Sequence, residues 1–156
     1  MRTMRLWILL TVAVLAVAAT PAARADVDID LRAGIYTDGS DGFLGGGVLW
    51  DLGQRGHWMA NPNLEYVFVD NGDLVTLNGD FHYDLKADAP FAIWAGGGPA
   101  VLFADPDNED ADSETDFGLN LLAGIGAKEG GVRPFAQVKL IISDESQLVF
   151  GFGLRF

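Results

Sequence analysis

The ten residues Gln147 to Phe156, QLVFGFGLRF, constrain the fold more than any other stretch. Leu148, Phe150, Phe152, Leu154 and Phe156 share one parity, and Val149, Gly151, Gly153 and Arg155 share the other. Side chains of a strand change face at every step, so this strand has one bulky apolar face and one face of small residues and charge. A soluble barrel keeps its bulk inside. Glycine and arginine on the second face instead imply bulk turned toward lipid and a crowded, polar lumen.

The rest of the chain repeats the pattern. Val27 to Thr37 alternates Val27, Ile29, Leu31, Ala33 and Ile35 with Asp28, Asp30, Arg32, Gly34 and Tyr36. Asp38 to Gly42 reads as a turn. A second strand spans about Phe43 to Leu52, with Leu44, Val48, Trp50 and Leu52 opposite Gly45, Gly47 and Asp51. After the turn at Gly53 to Gly56, His57 to Val69 sets Leu64, Tyr66 and Phe68 against Asn63 and Glu65. Asn71-Gly72 favours a tight turn. Leu74 to Leu85 then alternates Val75, Leu77, Phe81, Tyr83 and Leu85 with Thr76, Asn78, Asp80, His82 and Asp84. The stretch from Phe91 to Ala104 is apolar or glycine on both parities, which leaves its lumen face open, and Gly96-Gly97-Gly98-Pro99 predicts a bulge or bend. Asp105 to Asp116 reads as the longest loop. Phe117 to Ala127 and Val132 to Ser143 complete the set before the closing strand.

The expected fold is therefore all-β, an antiparallel up-and-down barrel of eight strands, each about ten residues long, as a tilted membrane strand requires. An even count puts both termini at one end, with short turns at Gly53, Lys86 and Lys128 beside them. The acid-bearing loops at Asp38, Asp70, Asp105 and Asp144 lie at the other end.

The amino-terminus is different. Arg2 and Arg5 precede the apolar run Leu6 to Ala19, broken by Thr20-Pro21 and followed by Ala23-Arg24-Ala25. As a helix this run reaches about 21 Å, short of a bilayer core. It reads as a helical signal peptide, residues 1–25, cleaved after Ala25 to leave a barrel domain over 26–156. With 156 residues one domain is expected. The absence of cysteine excludes disulfides and thiolate metal sites. A formal charge of −12 argues against a nucleic-acid partner.

The alternating strands, the signal peptide and the terminal Phe156 together resemble small eight-stranded bacterial outer-membrane proteins, the outer-membrane β-barrel or porin-family domains. The resemblance implies an outer-membrane address in a Gram-negative-type envelope. Phe152, Leu154 and Phe156 would be the signal read by the barrel-assembly machinery, membrane lipid would be the surrounding partner, and the state would be monomeric. The short loops depart from the long-looped members that act as adhesins or phage receptors.

Four constellations bear on chemistry. His82 and Asp84 share the lumen parity with Asp80 beside them, which admits a His–carboxylate general base. Outer-membrane acylhydrolases carry His-x-Ser where this chain has His82-Tyr83-Asp84, so a nucleophile is missing, and a lumen hydrogen-bond network is expected instead. The lumen charges Asp28, Asp30, Arg32, Glu65, Asp80, Asp84, Lys139 and Arg155, with Asp51 and Arg133 as further candidates, predict a salt-bridged plug. An eight-stranded interior is only wide enough for side chains to fill it, whereas a gated pore needs room. Asp105, Asp107, Glu109 and Asp110, with Asp112, Glu114 and Asp116, offer oxygen ligands for Ca²⁺ but lack the glycine turn and closing glutamate of an EF-hand, so a solvated loop is expected. Phe43, Trp50, Trp58, Tyr83, Phe91, Phe117 and Phe156 predict interfacial girdles.

The expectation is a non-enzymatic integral outer-membrane protein without cofactor or resident metal, structural or interaction-bearing. The alternatives are a narrow channel for small solutes, a membrane-embedded lipid-modifying hydrolase and a periplasmic lipocalin-like carrier.

Overall fold

A computed structural model describes residues 27–53, 57–70, 72–106 and 112–156. The expected signal peptide and its cleavage site lie outside the described residues. Eight strands follow in order: β1 (Val27–Tyr36), β2 (Asp41–Asp51), β3 (Trp58–Val67), β4 (Gly72–Asp84), β5 (Phe91–Pro106), β6 (Glu114–Ala127), β7 (Arg133–Ile142) and β8 (Gln147–Arg155). Each pairs antiparallel with its sequence neighbours, and β1 also pairs with β8, closing the barrel. The closing seam sets Leu31 against Leu154 and Ala33 against Phe152. Beyond the strands, Phe156 and Ile29 exchange two backbone hydrogen bonds, 3.2 and 2.9 Å long.

The side chains follow the period of two. On β4, Phe81 and Tyr83 are 45% and 36% exposed, while Asp80 and His82 are 1% and 0%. The same division runs around the barrel. Leu31, Leu44, Leu77, Phe103, Leu121, Leu140 and Phe152 all point outward and exposed. At the end bearing the short turns, Trp50 and Trp58 are exposed, with Tyr83 packed edge-on against Trp58 at 5.0 Å between ring centroids. At the loop end Phe68, Phe103 and Phe117 stand out.

β5 departs from expectation. It is the longest strand and holds one register throughout, from Phe91 opposite Ala127 to Ala104 opposite Glu114, with no bulge. Its inward residues are Ala92, Trp94, Ala100 and Leu102. Pro99 stays in line because it faces outward and because the β4–β5 pairing lapses where its missing N–H would otherwise be needed. The β4–β5 pairing lapses only at that point and resumes in the same register. β5 and β6 also run further than expected, to Pro106 and from Glu114, so the acidic connection is shorter. Residues 107–111, which include Asp107, Glu109 and Asp110, lie outside the described residues.

The lumen is layered. Tyr36, Phe43, Val67, Ala100, Leu102, Ile141 and Val149 form an apolar cluster near the loop end. Phe43 belongs here and not to the outer girdle, because its place on β2 alternates with exposed Leu44. Ala92, Trp94, Leu122 and Phe135 form a second cluster toward the turn end. Inward glycines make room for these rings. A Cβ on Gly124 would lie 2.3 Å from Trp94 Cζ2, and one on Gly153 would lie 2.4 Å from the Phe135 ring. Glycine thus fills the interior by yielding its volume to an aromatic on the next strand.

Gly124→Ala should therefore destabilise the barrel by about 1–3 kcal/mol through overpacking. Gly131→Ala, with nothing within 4 Å of the added carbon, should leave stability unchanged. Urea unfolding of the refolded protein in lipid vesicles measures both.

Candidate functional site: the polar layer of the lumen

Between the two apolar clusters lies a polar layer drawn from most of the strands. β1 contributes Asp30 and Arg32, and β3 contributes Asn61, Asn63 and Glu65. β4 contributes Thr76, Asn78, Asp80, His82 and Asp84. Asn120, Gln137, Lys139 and Arg155 complete it, and all are buried. Each strand delivers them at alternate positions, so a strict sequence rhythm converges them on one axis.

Two ion-pair groups dominate. Arg32 donates from Nε and Nη2 to Asp30 at 2.7–2.9 Å, and from Nη2 to Asn61 Oδ1 at 2.7 Å. Asn61 returns a bond to Asp30 at 2.8 Å and another to the Val48 carbonyl at 2.9 Å. Across the lumen, Lys139 Nζ donates to both oxygens of Glu65 at 2.8 Å. The Tyr36 hydroxyl donates to Glu65 at 2.7 Å, and Arg32 Nη1 lies 3.7 Å from the same carboxylate. Glu65 is therefore shared by β1 and β7, and holds opposite walls together. The gain is enthalpic strength in a low-dielectric interior; the condition is that every buried charge be met.

Asp80 is met differently. Its partners are carboxamides, Asn63 at 2.9 Å and Asn120 at 2.7 Å, and Asn78 links Asn63, Thr76 and Asn120 into the same web. Toward the turn end, Asp84 pairs with Lys128 at 2.6 Å and accepts from the Lys86 amide at 2.8 Å. Asp28 pairs with Arg133 at the half-buried mouth. Asp51 is exposed and stays outside the layer.

His82 and Asp84 share a face but not a hydrogen bond. Neither ring nitrogen of His82 has a partner among the described residues, and the ring stacks on Trp94 with centroids 5.6 Å apart. Arg155 also rests on aromatics, its guanidinium carbon 4.6 Å from the Trp94 ring and 4.4 Å from that of Phe135. A general base needs both an orienting partner and a nucleophile within reach. The carboxylate that would orient His82 is committed to Lys128.

The sequence puts the charged members of this layer and Tyr36 on the inward parity and does not single out Asn61 or Trp94. For Asn61 the signal was present, since it keeps the parity of Glu65. An internal cavity of about 10 Å³ adjoins Arg32, Glu65, Gln137 and Lys139, which is room for roughly one water molecule. Among the described residues no three His, Cys, Asp or Glu side chains group closely enough to hold a metal ion. Asp105 accepts a bond from Ser113 at 2.8 Å.

Comparison with solved structures matches this architecture to the amino-terminal β-barrel domain of Pseudomonas aeruginosa OprF, with a TM-score of 0.66 and 16% identity, over 83% of this chain and 95% of that one. The fold is that of the small bacterial outer-membrane β-barrels. Neisserial surface protein A matches with a TM-score of 0.62 and 13% identity, over 83% of this chain and 92% of that one. The outer-membrane enzyme PagL matches with a TM-score of 0.53 and 15% identity, over 83% of this chain and 98% of that one. No protein-family model matches the sequence, and comparison with curated proteins finds no significant match.

Because Glu65 serves two strands, Glu65→Leu should cost about 3–5 kcal/mol by stranding Lys139. Glu65→Leu with Lys139→Met should recover much of that loss. A double-mutant cycle from vesicle-based urea titrations measures the coupling.

Proposed function

We propose that this chain is an integral outer-membrane β-barrel protein whose role is structural or interaction-bearing and whose lumen is closed by its own side chains. The observation that carries this reading is the outer face. Phe117 is 73% exposed, Phe152 66% and Leu31 57%, and comparable residues ring the whole barrel while ions and amides fill its inside. A water-soluble protein does not present so continuous an apolar surface. The likeness to outer-membrane barrels supports the same address. The basic-then-apolar leader with its Ala23-Arg24-Ala25 site supplies the export route, and Phe152, Leu154 and Phe156 the assembly signal.

The reading is non-enzymatic because His82 has no orienting partner among the described residues, and PagL's being an enzyme carries no residue over to this chain. It is non-conducting because an apolar cluster caps the polar layer and the lumen cavity admits about one water.

Leu121→Arg, at the middle of the outer face, should destabilise the protein by about 2–4 kcal/mol in bilayers if lipid surrounds it. A change near zero would remove the membrane assignment. Planar-bilayer recordings should show no conductance, and steady unitary currents would favour the narrow channel.

A further inference from the structure

The turn end of the lumen holds a buried guanidinium whose N–H groups are not fully hydrogen-bonded by the described residues. Arg155 is 4% exposed, and its Nε and Nη2 atoms have no hydrogen-bond partner among the described residues. Its cross-strand partner on β7 is Arg133, whose Nε is likewise buried without a partner. Like charges set directly opposite on two strands repel. Asp28 pairs with Arg133. Asp30, the partner of Arg155 on β1, is spent on Arg32 and Asn61. Asp84, also at this end, is spent on Lys128. Among the described residues, Asp28 is thus the carboxylate at this mouth that pairs with neither Arg32 nor Lys128, and it is bonded to Arg133.

The surroundings favour a ligand over a bare charge. Trp94 and Phe135 hold the Arg155 guanidinium against their faces, and its buried Nε and Nη2 remain as unused donors. A planar fork of donors suits the oxygens of a phosphate or carboxylate, and such bonds are about twice as strong as neutral ones. Side chains of Arg133 and Asp28 remain 20% and 23% exposed, so the mouth opens at this end. The opposite end is stoppered by the Tyr36–Phe43–Val149 cluster.

We infer that Arg155 and Arg133 form a binding site for a small oxyanion, a phosphate or carboxylate group, entered from the turn end of the barrel. Phosphate could arrive as a soluble ion or as a lipid headgroup, and the chemistry recognised is the same.

Trp94 offers a direct readout. With Trp7, Trp50 and Trp58 changed to Phe, it is the remaining indole and lies against Arg155. The full chain, refolded in non-ionic detergent and checked by heat-modifiable gel mobility, is titrated with sodium phosphate at constant ionic strength. A second titration uses phosphatidylglycerol in mixed micelles. A saturable change in Trp94 emission with phosphate supports a soluble ligand, and one seen only with phosphatidylglycerol supports a headgroup. Arg155→Met should weaken the response at least about tenfold, the loss expected for a charged hydrogen bond. Arg155→Lys, which keeps the charge without the fork, should fall between. Should Arg155→Met fail to refold, Arg133→Met reads the same site from its exposed side. No saturable response to either titrant, or an equal response in a refolded Arg155→Met or Arg133→Met protein, overturns the site.

Discussion

The structure depends on the hydrogen bonding between β1 and β8. An open sheet would leave two edges of unpaired N–H and C=O groups, and closure removes both. The Asp30–Arg155 to Tyr36–Val149 pairing supplies it, and the exchange between Ile29 and Phe156 extends it by one step. Once the cylinder is shut, everything else follows from its small bore. The bulk must go out, and whatever goes in must interlock.

The interior solves that packing problem in two ways. Toward each end an aromatic ring lies over a glycine of a neighbouring strand, Phe43 against Gly34, Trp94 over Gly124 and Phe135 over Gly153. In the middle, ions and carboxamides take over. The polar layer ties β1 to β3, β3 to β4 and β7, and β4 to β6 by side-chain bonds that cross the bore. Such a layer acts as internal bracing. Its cost is the desolvation of Asp30, Glu65 and Asp80, which the surrounding donors offset only while all are in place.

Much of this was legible in the sequence because the period of two is so regular. The alternation along β1, β4 and β8 sufficed to give the faces, and Glu65, Asp80 and Lys139 could be placed inward by parity alone. β5 resisted because Ala, Gly and Pro on both parities carry no polarity contrast, and Pro99 invited a bulge. The β4–β5 ladder instead skips a step opposite Gly79 and keeps its register, and that partner lies twenty residues away on another strand. Partner choice was equally hidden. Asp84 shares a parity with His82 but bonds to Lys128, since the pairing is set by where the β6–β7 turn brings a flexible amine.

The two lumen ends are unequal, and this has a directional consequence. One end is stoppered by Tyr36, Phe43 and Val149, and the other has a charged, partly exposed mouth at Asp28 and Arg133. The barrel is in effect a cup and not a tube. Any access to the interior is therefore one-sided, from the end where β1 begins and β8 finishes.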